Sequence, residues 1–361
     1  MNTITVTTIR SINYGGLIQA FALHKYLLSR DLDNTLLDYC KLKNPYKKIS
    51  LSISRASLIA LVQNACYLFN RSKTRRLFQR FNSFISANIK TTQEFLNFDD
   101  IKNNYPLADL YITGSDQVFG VRGEFDNIRM LQFLRQETPC VSYAASLGEY
   151  DWNEEEKKEF NRRLGIFSKV SVREKYAADY IRDNVEIESE INIDPVFLLD
   201  KEDYSRISKP TCVPSEKYIL CYSLVSNDSF QKLMDEIKAL TGYCTVCIHT
   251  LPMKRLKADH YVFDAGPSEF LSLIENAEFV ITTSFHGTAL SIIYEKPFYT
   301  LIRNYKSQRI TELLNKFGMS NRIYKGQDID LNVDFSRSKS VIELERRRTD
   351  NYFNSVLNSL Q

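Results

Sequence analysis

The sequence predicts an α/β protein made of two successive doubly wound domains. Its 361 residues are more than one ordinary hydrophobic core accommodates. Short β-branched and apolar runs alternate with helix-like segments along the chain, which is typical of parallel sheets joined by helices. The pattern loosens once, around Pro210 and Pro214, so we expect a first domain at 1–200 and a second at 201–340.

Composition and charge exclude several classes of protein. Hydrophobic residues make up 43% of the chain and charged residues 25%, which is typical of a globular protein rather than a disordered one. The net charge of +3 is too small to indicate a nucleic-acid partner. We see neither a signal peptide nor an apolar run long enough to span a membrane, so we expect a cytoplasmic protein.

The seven cysteines are scattered along the chain, and only Cys244 and Cys247 form a CxxC pair. This pair lies in a strand-like segment with only His249 nearby, whereas a structural zinc site needs a second pair or further histidines at ligand spacing. We therefore favour reduced thiols in a core over a zinc ligand set, and predict no metal site.

The first domain begins with a complete βαβ unit. Predicted strands at 3–9 and 35–39 flank a helix at 17–28, and a loop containing Asn13, Gly15 and Gly16 precedes that helix. Glycines at this place let backbone amides approach a phosphate or carboxylate. A tight turn without a ligand explains the pair equally well.

A helical insert follows at 54–90. Two apolar faces are separated by a basic group, which consists of Arg71, Lys73, Arg75, Arg76 and Arg80. We favour a helical hairpin that packs on its own domain and leaves the basic face in solvent. The alternative is peripheral contact with an anionic membrane surface.

Four further strands of the first domain each end in polar residues. They are predicted at 108–113, 139–145, 170–172 and 191–193. Because parallel strands in a doubly wound sheet end at the same edge, we expect Asp116, Ser146, Arg173 and Asp194 to lie close together. Taken singly, each has an ordinary explanation: Asp116 as a helix cap, Arg173 with Glu174 as a surface pair, and Asp194 as a turn former.

The second domain repeats the alternation and contains the most informative stretch, 279–301. A strand at 279–281 ends in polar residues, and His286 and Gly287 follow just before a helix-like run. A histidine between a strand end and a helix N-terminus is well placed to meet an anion, although packing against its own helix is an equal alternative. The chain ends in a helix, 341–361, that is long enough to pack back on the first domain.

Seven segments, in register over about residues 10 to 325, resemble the polysaccharide pyruvyl transferase family. They are NYGGLIQAFAL at 13–23, ITGSDQVF at 112–119, SYAASLG at 142–148, VSVRE at 170–174, DPVFLL at 194–199, GPSEFLSLIENAEFVITTSFHGTALSI at 266–292 and KPFYTLIR at 296–303. The helical insert and the C-terminal helix carry little of this resemblance.

The resemblance implies two Rossmann-like domains facing across a cleft, as in GT-B glycosyltransferases, with the acceptor on the first and the donor on the second. It also implies transfer of the enolpyruvyl unit of phosphoenolpyruvate to two hydroxyls of a sugar in a cell-surface polysaccharide, or its precursor, with release of phosphate. Phosphoenolpyruvate is then a co-substrate and no cofactor is expected. A lipid-linked acceptor would bring the protein to the inner face of the cell membrane.

The same resemblance assigns roles to residues of the site. Phosphoenolpyruvate carries a phosphate and a carboxylate, for which arginine is the best partner. We expect His286 to supply the proton for the enol carbon and Asp116 to act as the base or bind the acceptor. The expected donor-binding residues are Arg173, Arg303, Arg309, Ser284 and Gly287. The expected acceptor- or anion-binding residues are Asn13, Gly15, Gly16, Ser115 and Ser146.

One departure from the family pattern concerns Ser284. Other branches carry an arginine two residues before the histidine, so this chain must supply that cation elsewhere, with Arg303 or Arg309 as candidates, or bind another donor. Two alternatives to the pyruvyl transferase therefore stay open. One is a GT-B glycosyltransferase that uses a nucleotide sugar. The other is a non-enzymatic binding protein or pseudoenzyme that no longer binds the donor.

Overall fold

A computed structural model describes residues 1–40, 70–120, 125–135, 137–148, 152–185, 187–211, 215–223, 228–249, 256–302 and 308–360. The first part of the predicted insert, 54–69, and Arg303 lie outside the described residues.

The first domain contains β1 Asn2–Val6, α1 Tyr14–Ser29, β2 Asp33–Tyr39, α2 Arg71–Asn88, β3 Thr91–Phe95, α3 Phe98–Asn104, β4 Leu110–Thr113, β5 Cys140–Ser142, α4 Glu154–Leu164, β6 Val170–Val172, α5 Lys175–Asn184 and β7 Ser189–Ile191. A 3₁₀ turn, Pro195–Leu198, and α6 Lys201–Ile207 follow. The second domain contains β8 Tyr218–Tyr222, α7 Asp228–Thr241, β9 Cys244–Ile248, β10 His260–Val262, α8 Pro267–Glu275, β11 Phe279–Thr282, α9 Phe285–Ile293, β12 Phe298–Thr300, α10 Gln308–Phe317, a 3₁₀ turn Ser320–Arg322 and α11 Ser338–Asn358.

Each domain has a five-stranded parallel sheet. The strand orders are β3-β2-β1-β4-β5 and β10-β9-β8-β11-β12, so both sheets follow the same doubly wound topology. Beyond β5, the parallel pair β6–β7 continues the first sheet through single bridges from Val141 to Lys169 and from Ala145 to Val172. The predicted α/β class with two Rossmann-like domains is confirmed.

Three details of the predicted elements are wrong. The strand expected at 191–193 lies two residues earlier, because the chain leaves the sheet at Asn192, whose side chain donates to Ser171 Oγ. Gly15 and Gly16 belong to the first turn of α1, not to a loop, because the Asn13 side chain caps the helix by accepting from Gly16 N. Strand β3 was missed, since its polar residues lie at the edge of the sheet without an apolar pattern.

The favoured interpretation left the basic face of α2 in solvent, but part of this face contacts the second domain. Arg76 forms an ion pair with Asp264, and Arg80 donates to the carbonyl of the same residue, at 2.7 Å in both cases. The ammonium of Lys73 lies 5.3 Å from the ring centre of Phe263. Three of the five basic residues therefore contact the second domain, because a loop of that domain lies against this face of the helix.

Helix α11 lies against the first domain. The hydroxyl of Tyr352 donates to the carbonyl of Ser142 at 2.6 Å, and the rings of Phe353 and Tyr143 pack with their centres 5.1 Å apart. Near the end of the chain, Asp350 accepts from the hydroxyl of Tyr26. Among the residues that the structure describes, no helix is both long and apolar enough to cross a membrane.

The two domains share one hydrophobic cluster that continues from one to the other. Tyr14, at the start of α1, stacks on Phe270 of α8 with ring centres 4.6 Å apart, and its hydroxyl donates to the carbonyl of Ala265. This packing holds the carboxyl ends of the two sheets against each other, and the polar residues that follow the strands meet there.

Candidate active site

Asp194 is the centre of the polar cluster between the domains. It follows β7, is 1% exposed and forms an ion pair with Arg173, which follows β6. Ser115, after β4, donates to the same carboxylate oxygen at 3.3 Å. From the second domain, Nε2 of His286 lies 3.6 Å from that oxygen. The sequence placed Asp194 at this edge but gave it no role, although its contacts reach both domains.

Glu174 was missed as a site residue. The interpretation of Arg173 and Glu174 as a surface pair is wrong, because both are buried where β6 meets the domain interface. Ser146 Oγ donates to Glu174 Oε1 at 2.6 Å, and Arg173 Nε donates to the same oxygen at 3.1 Å. The sequence feature that could have identified Glu174 as a site residue is its position directly after Arg173 at the end of a strand.

Asp116 has an unusual backbone conformation. Its φ is +68°, in the left-handed region that a residue with a side chain adopts uncommonly. Hydrogen bonds from Ser146 N and Val118 N to its carbonyl hold this conformation. Among the described residues no helix begins at Asp116, so its interpretation as a helix cap is wrong. Its carboxylate lies beside Gly16, where an added Cβ would be 3.2 Å from Oδ2.

His286 lies in the first turn of α9 and packs against α1 of the other domain. A Cβ built on Gly15 would lie 2.2 Å from the imidazole, so only glycine allows this approach. Gly16 N donates to the side-chain oxygen of Asn13. A Cβ built on Gly287 would lie 2.4 Å from Thr282 Oγ1. In the structure these glycines therefore serve close packing and capping around the histidine.

Ser284 and Phe285 occupy the positions where other branches carry arginine and leucine. Ser284 is the N-cap of α9, and its hydroxyl accepts from Gly287 N at 3.3 Å. The guanidinium of Arg173 lies over the ring of Phe285, 4.2 Å from its centre. The departure from the family motif thus supplies a helix cap and a stacking surface that positions Arg173.

Arg309 of α10 brings a second arginine to Arg173. It is half-buried, and within the described residues it has no hydrogen bond or ion pair. Burial and the neighbouring charge of Arg173 lower the pKa of Arg309, while Glu174 and Asp116 act in the opposite direction. Because the charge of Arg173 disfavours that of Arg309, an anion bound beside both would be favoured.

The burial of the cluster shapes its charges. Burial acts to raise the pKa of Asp194, but the charges of His286 and Arg173 outweigh it and hold that pKa below its usual range. Burial likewise acts against the charge of Arg173, whose pKa is nevertheless raised by Glu174, Asp194 and Asp116. Asp194 is therefore ionised at neutral pH and Arg173 is a permanent cation.

Three buried polar atoms of the cluster have no hydrogen-bond partner among the described residues. They are Nη2 of Arg173, Oε2 of Glu174 and Nε2 of His286. Buried polar atoms in native proteins are almost always paired, and exceptions often mark a ligand site. These three atoms lie on residues that contact one another or Asp194, so the cluster around Asp194 is the candidate ligand site.

The thiols of the second domain lie apart from this cluster. Cys221 and Cys247 are neighbours on β8 and β9 and are fully buried. Nowhere in the described part of the chain do three or more potential metal ligands come together.

A family model described as polysaccharide pyruvyl transferase matches residues 13–305 of the chain. No curated protein matches this chain. Solved structures with a similar arrangement include the UDP-GlcNAc 2-epimerase from Methanocaldococcus jannaschii, with 14% identity over 95% of this chain and 91% of that chain and a TM-score of 0.46. The UDP-GlcNAc 2-epimerase from Neisseria meningitidis bound to UDP-GlcNAc has 11% identity over 95% and 99% of the two chains, with a TM-score of 0.49. The E. coli ADP-heptose lps heptosyltransferase II has 9% identity over 97% and 100%, with a TM-score of 0.41.

Proposed function

The chain belongs to the polysaccharide pyruvyl transferase family, and from this premise we propose that it transfers the enolpyruvyl unit of phosphoenolpyruvate to two hydroxyls of one sugar. The product is a cyclic pyruvate ketal on a cell-surface polysaccharide or its precursor, and phosphate is released. The observation that carries the proposal is the pair Arg173 and Arg309, with one buried guanidinium nitrogen of Arg173 unpartnered.

The charge of the site suits this donor. Phosphoenolpyruvate combines a phosphate and a carboxylate on a three-carbon frame, and a guanidinium binds either group with two parallel hydrogen bonds. Arg173 and Arg309 supply two cations, and His286 adds a third when protonated. The carboxylates of Asp194 and Glu174 pair with Arg173 and orient it, while Arg309 has no ion pair among the described residues, so its charge is available to the donor.

The chemistry requires two proton deliveries. The enol carbon C3 takes a proton, which makes C2 electrophilic, and the first sugar hydroxyl forms a bond to C2 and loses its proton to a base. The second hydroxyl then bonds to C2 and gives up its proton, the bond from C2 to the phosphate oxygen breaks, and the departing phosphate takes the second delivered proton. We assign the protonation of C3 to His286, and the removal of the first hydroxyl proton to Asp116, whose carboxylate lies beside α1 on the acceptor side.

The acceptor is a sugar, on a free or lipid-linked precursor or on the polymer, and we place the reaction in the cytoplasm, where phosphoenolpyruvate is produced. Contact of α2 with an anionic membrane would depend on Arg71 and Arg75, since Lys73, Arg76 and Arg80 face the second domain. The contacts of these three residues with the second domain therefore weigh against membrane contact through the whole basic group.

Thermal stability with ligands tests the donor. A ligand that binds only the native state raises stability by about 2.7 kcal/mol at a hundred times its dissociation constant. We expect phosphoenolpyruvate to raise the melting temperature of the wild type, and a panel of nucleotide sugars to leave it unchanged. Arg173→Lys and Arg309→Gln should remove the shift, because neither retains a second bidentate guanidinium.

The matched control is Arg206→Gln, because Arg206 is an exposed arginine whose ion pair with Asp203 lies within α6. It should leave the shift intact. A shift with a nucleotide sugar and none with phosphoenolpyruvate would instead identify a glycosyltransferase.

A further inference from the structure

Glu174 occupies the N-cap of α5 but does not cap it. The residues that ordinarily cap a helix at this position are serine, threonine, aspartate and asparagine, and glutamate is not among them. Here Glu312 of α10, from the second domain, accepts from Lys175 N at 2.7 Å and Tyr176 N at 3.4 Å. The carboxyl of Glu174 instead contacts Ser146 and Arg173 in the polar cluster.

Burial favours the neutral form of Glu174, whereas the hydrogen bonds to its Oε1 favour the ionised form. Ser146 and Arg173 both donate to Oε1, and Oε2 is buried without a partner. An ionised carboxylate would leave charge on an unsolvated oxygen, whereas a neutral carboxyl places its proton there. Burial raises the pKa of Glu174, and this effect exceeds the lowering by Arg173, Ser146 and Arg309. The cluster around it also contains Asp194, His286 and Asp116.

Glu174 lies where the phosphate of the donor is expected. It contacts Arg173 directly, and Arg309 is near enough to act on its pKa. A phosphate held by the two arginines would therefore meet the unpartnered Oε2. That contact is favourable only when the oxygen carries a proton, because two anionic groups would repel each other.

We propose that Glu174 is a catalytic acid that protonates the departing phosphate of phosphoenolpyruvate. This inference rests on the function proposed above and adds the second proton delivery. As the second hydroxyl oxygen bonds to C2, the bond from C2 to the phosphate oxygen breaks, and its electron pair stays on that oxygen. The phosphate oxygen takes the proton from Glu174 Oε2, and the carboxylate regains a proton from the second hydroxyl.

Titration of donor binding against pH tests the proposal. Measurements start at a pH of about 5, and ionisation of the donor's own phosphate group, with a pKa of about 6, affects wild type and variant alike. In the wild type, affinity for phosphoenolpyruvate should fall, approaching tenfold per pH unit once Glu174 ionises. Glu174→Gln has a neutral side chain at every pH, so its affinity should fall less steeply with pH than that of the wild type.

A second readout is phosphate release with any acceptor that supports turnover by the wild type. Glu174→Gln should lower kcat by roughly 10²–10⁴-fold, the usual contribution of a general acid, with donor affinity near pH 7 changed less than threefold.

The matched control is Glu345→Gln, since Glu345 is also a buried glutamate, paired with Lys316 and Arg348. It should follow the wild type in both readouts. If Glu174 only holds Arg173 in place, Glu174→Gln would retain the wild-type decline with pH and change donor affinity by a constant factor, which overturns the inference and leaves the proposed function standing. Failure of phosphoenolpyruvate to bind the wild type at any pH would overturn the proposed function itself.

Discussion

At the scale of single residues, the site depends on a few charges that compensate one another out of water. Asp194 pairs with Arg173 and lies 3.6 Å from His286, so one carboxylate links the strand ends of the first domain to the histidine of the second. Removing one member of a buried ion pair commonly costs about 3–5 kcal/mol, because the remaining charge is left uncompensated. Substitution of Asp194 should therefore affect both the stability of the protein and the geometry of the site.

We therefore expect Asp194→Asn to lower the free energy of unfolding by about 3 kcal/mol at neutral pH. The folded-state pKa of Asp194 is depressed, so its contribution is fully present above the unfolded value of about 3.9 and is lost as the pH falls through the folded value. Urea unfolding at a series of pH values should show wild type and variant converging below a pH of about 4.

The control is Asp183→Asn, because Asp183 is exposed and its ion pair with Arg182 is on the surface. It should cost at most about 1 kcal/mol. Equal losses in the two variants would contradict a special role for Asp194.

At the scale of elements, α10 connects the two domains beside the site. Glu312 caps α5 of the first domain, and Arg309 lies one turn earlier on the same helix. Residues three apart lie on the same face of a helix, so the cap also sets the position of the arginine. The docking of α10 is thus coupled to the charge that we propose for donor binding.

From this coupling we expect Glu312→Ala to weaken both stability and donor binding. Loss of a cap costs about 1 kcal/mol, and release of Arg309 should weaken phosphoenolpyruvate binding by roughly tenfold, or about 1.4 kcal/mol. Denaturant unfolding and calorimetric titration measure the two effects separately.

Glu156 offers a comparison within α4, where its side chain accepts from Asn153 N in a capping box. Glu156→Ala should cost similar stability without loss of donor affinity. If Glu312→Ala bound phosphoenolpyruvate as the wild type does, the cap would be purely structural.

At the scale of the whole molecule, α2 fastens the second domain to the first. Arg80 reaches both the carbonyl of Asp264 and the carboxylate of Glu269, and its Cβ lies so close to Gly266 that a Cβ there would be only 2.5 Å away. Tyr14 holds the same loop through Ala265. Because His286 contacts Gly15 across this interface, the site is complete only when the two domains are in contact.

Arg80→Ala should loosen this contact. We expect a loss of about 1–2 kcal/mol, since the side chain is partly exposed, together with a larger radius of gyration in solution scattering and weaker binding of phosphoenolpyruvate. Arg75→Ala changes an exposed arginine on the same helix and should alter none of these. An unchanged scattering profile in Arg80→Ala would show that the hydrophobic packing alone holds the domains together.

Much of the architecture is encoded locally and was therefore predictable. Apolar runs such as 279–281 and 170–172 identify buried strands because alternation with helices leaves few other topologies. The strand ends that were expected to converge do so through contacts such as that between Arg173 and Asp194, because all parallel strands of a sheet finish at one edge. By itself, the sequence determined the α/β class and, through seven segments in register, the family.

The tertiary structure alone decided which polar groups are buried and what faces them. Glu174 and Arg173 are neighbours in sequence, yet their burial depends on α10 and α9 of the other domain. Position 15 requires a glycine only because His286 packs against it. Arg80 connects the two domains only because Asp264 lies within hydrogen-bond distance. Burial and charge compensation come from residues far apart in the chain, so no local pattern reports them.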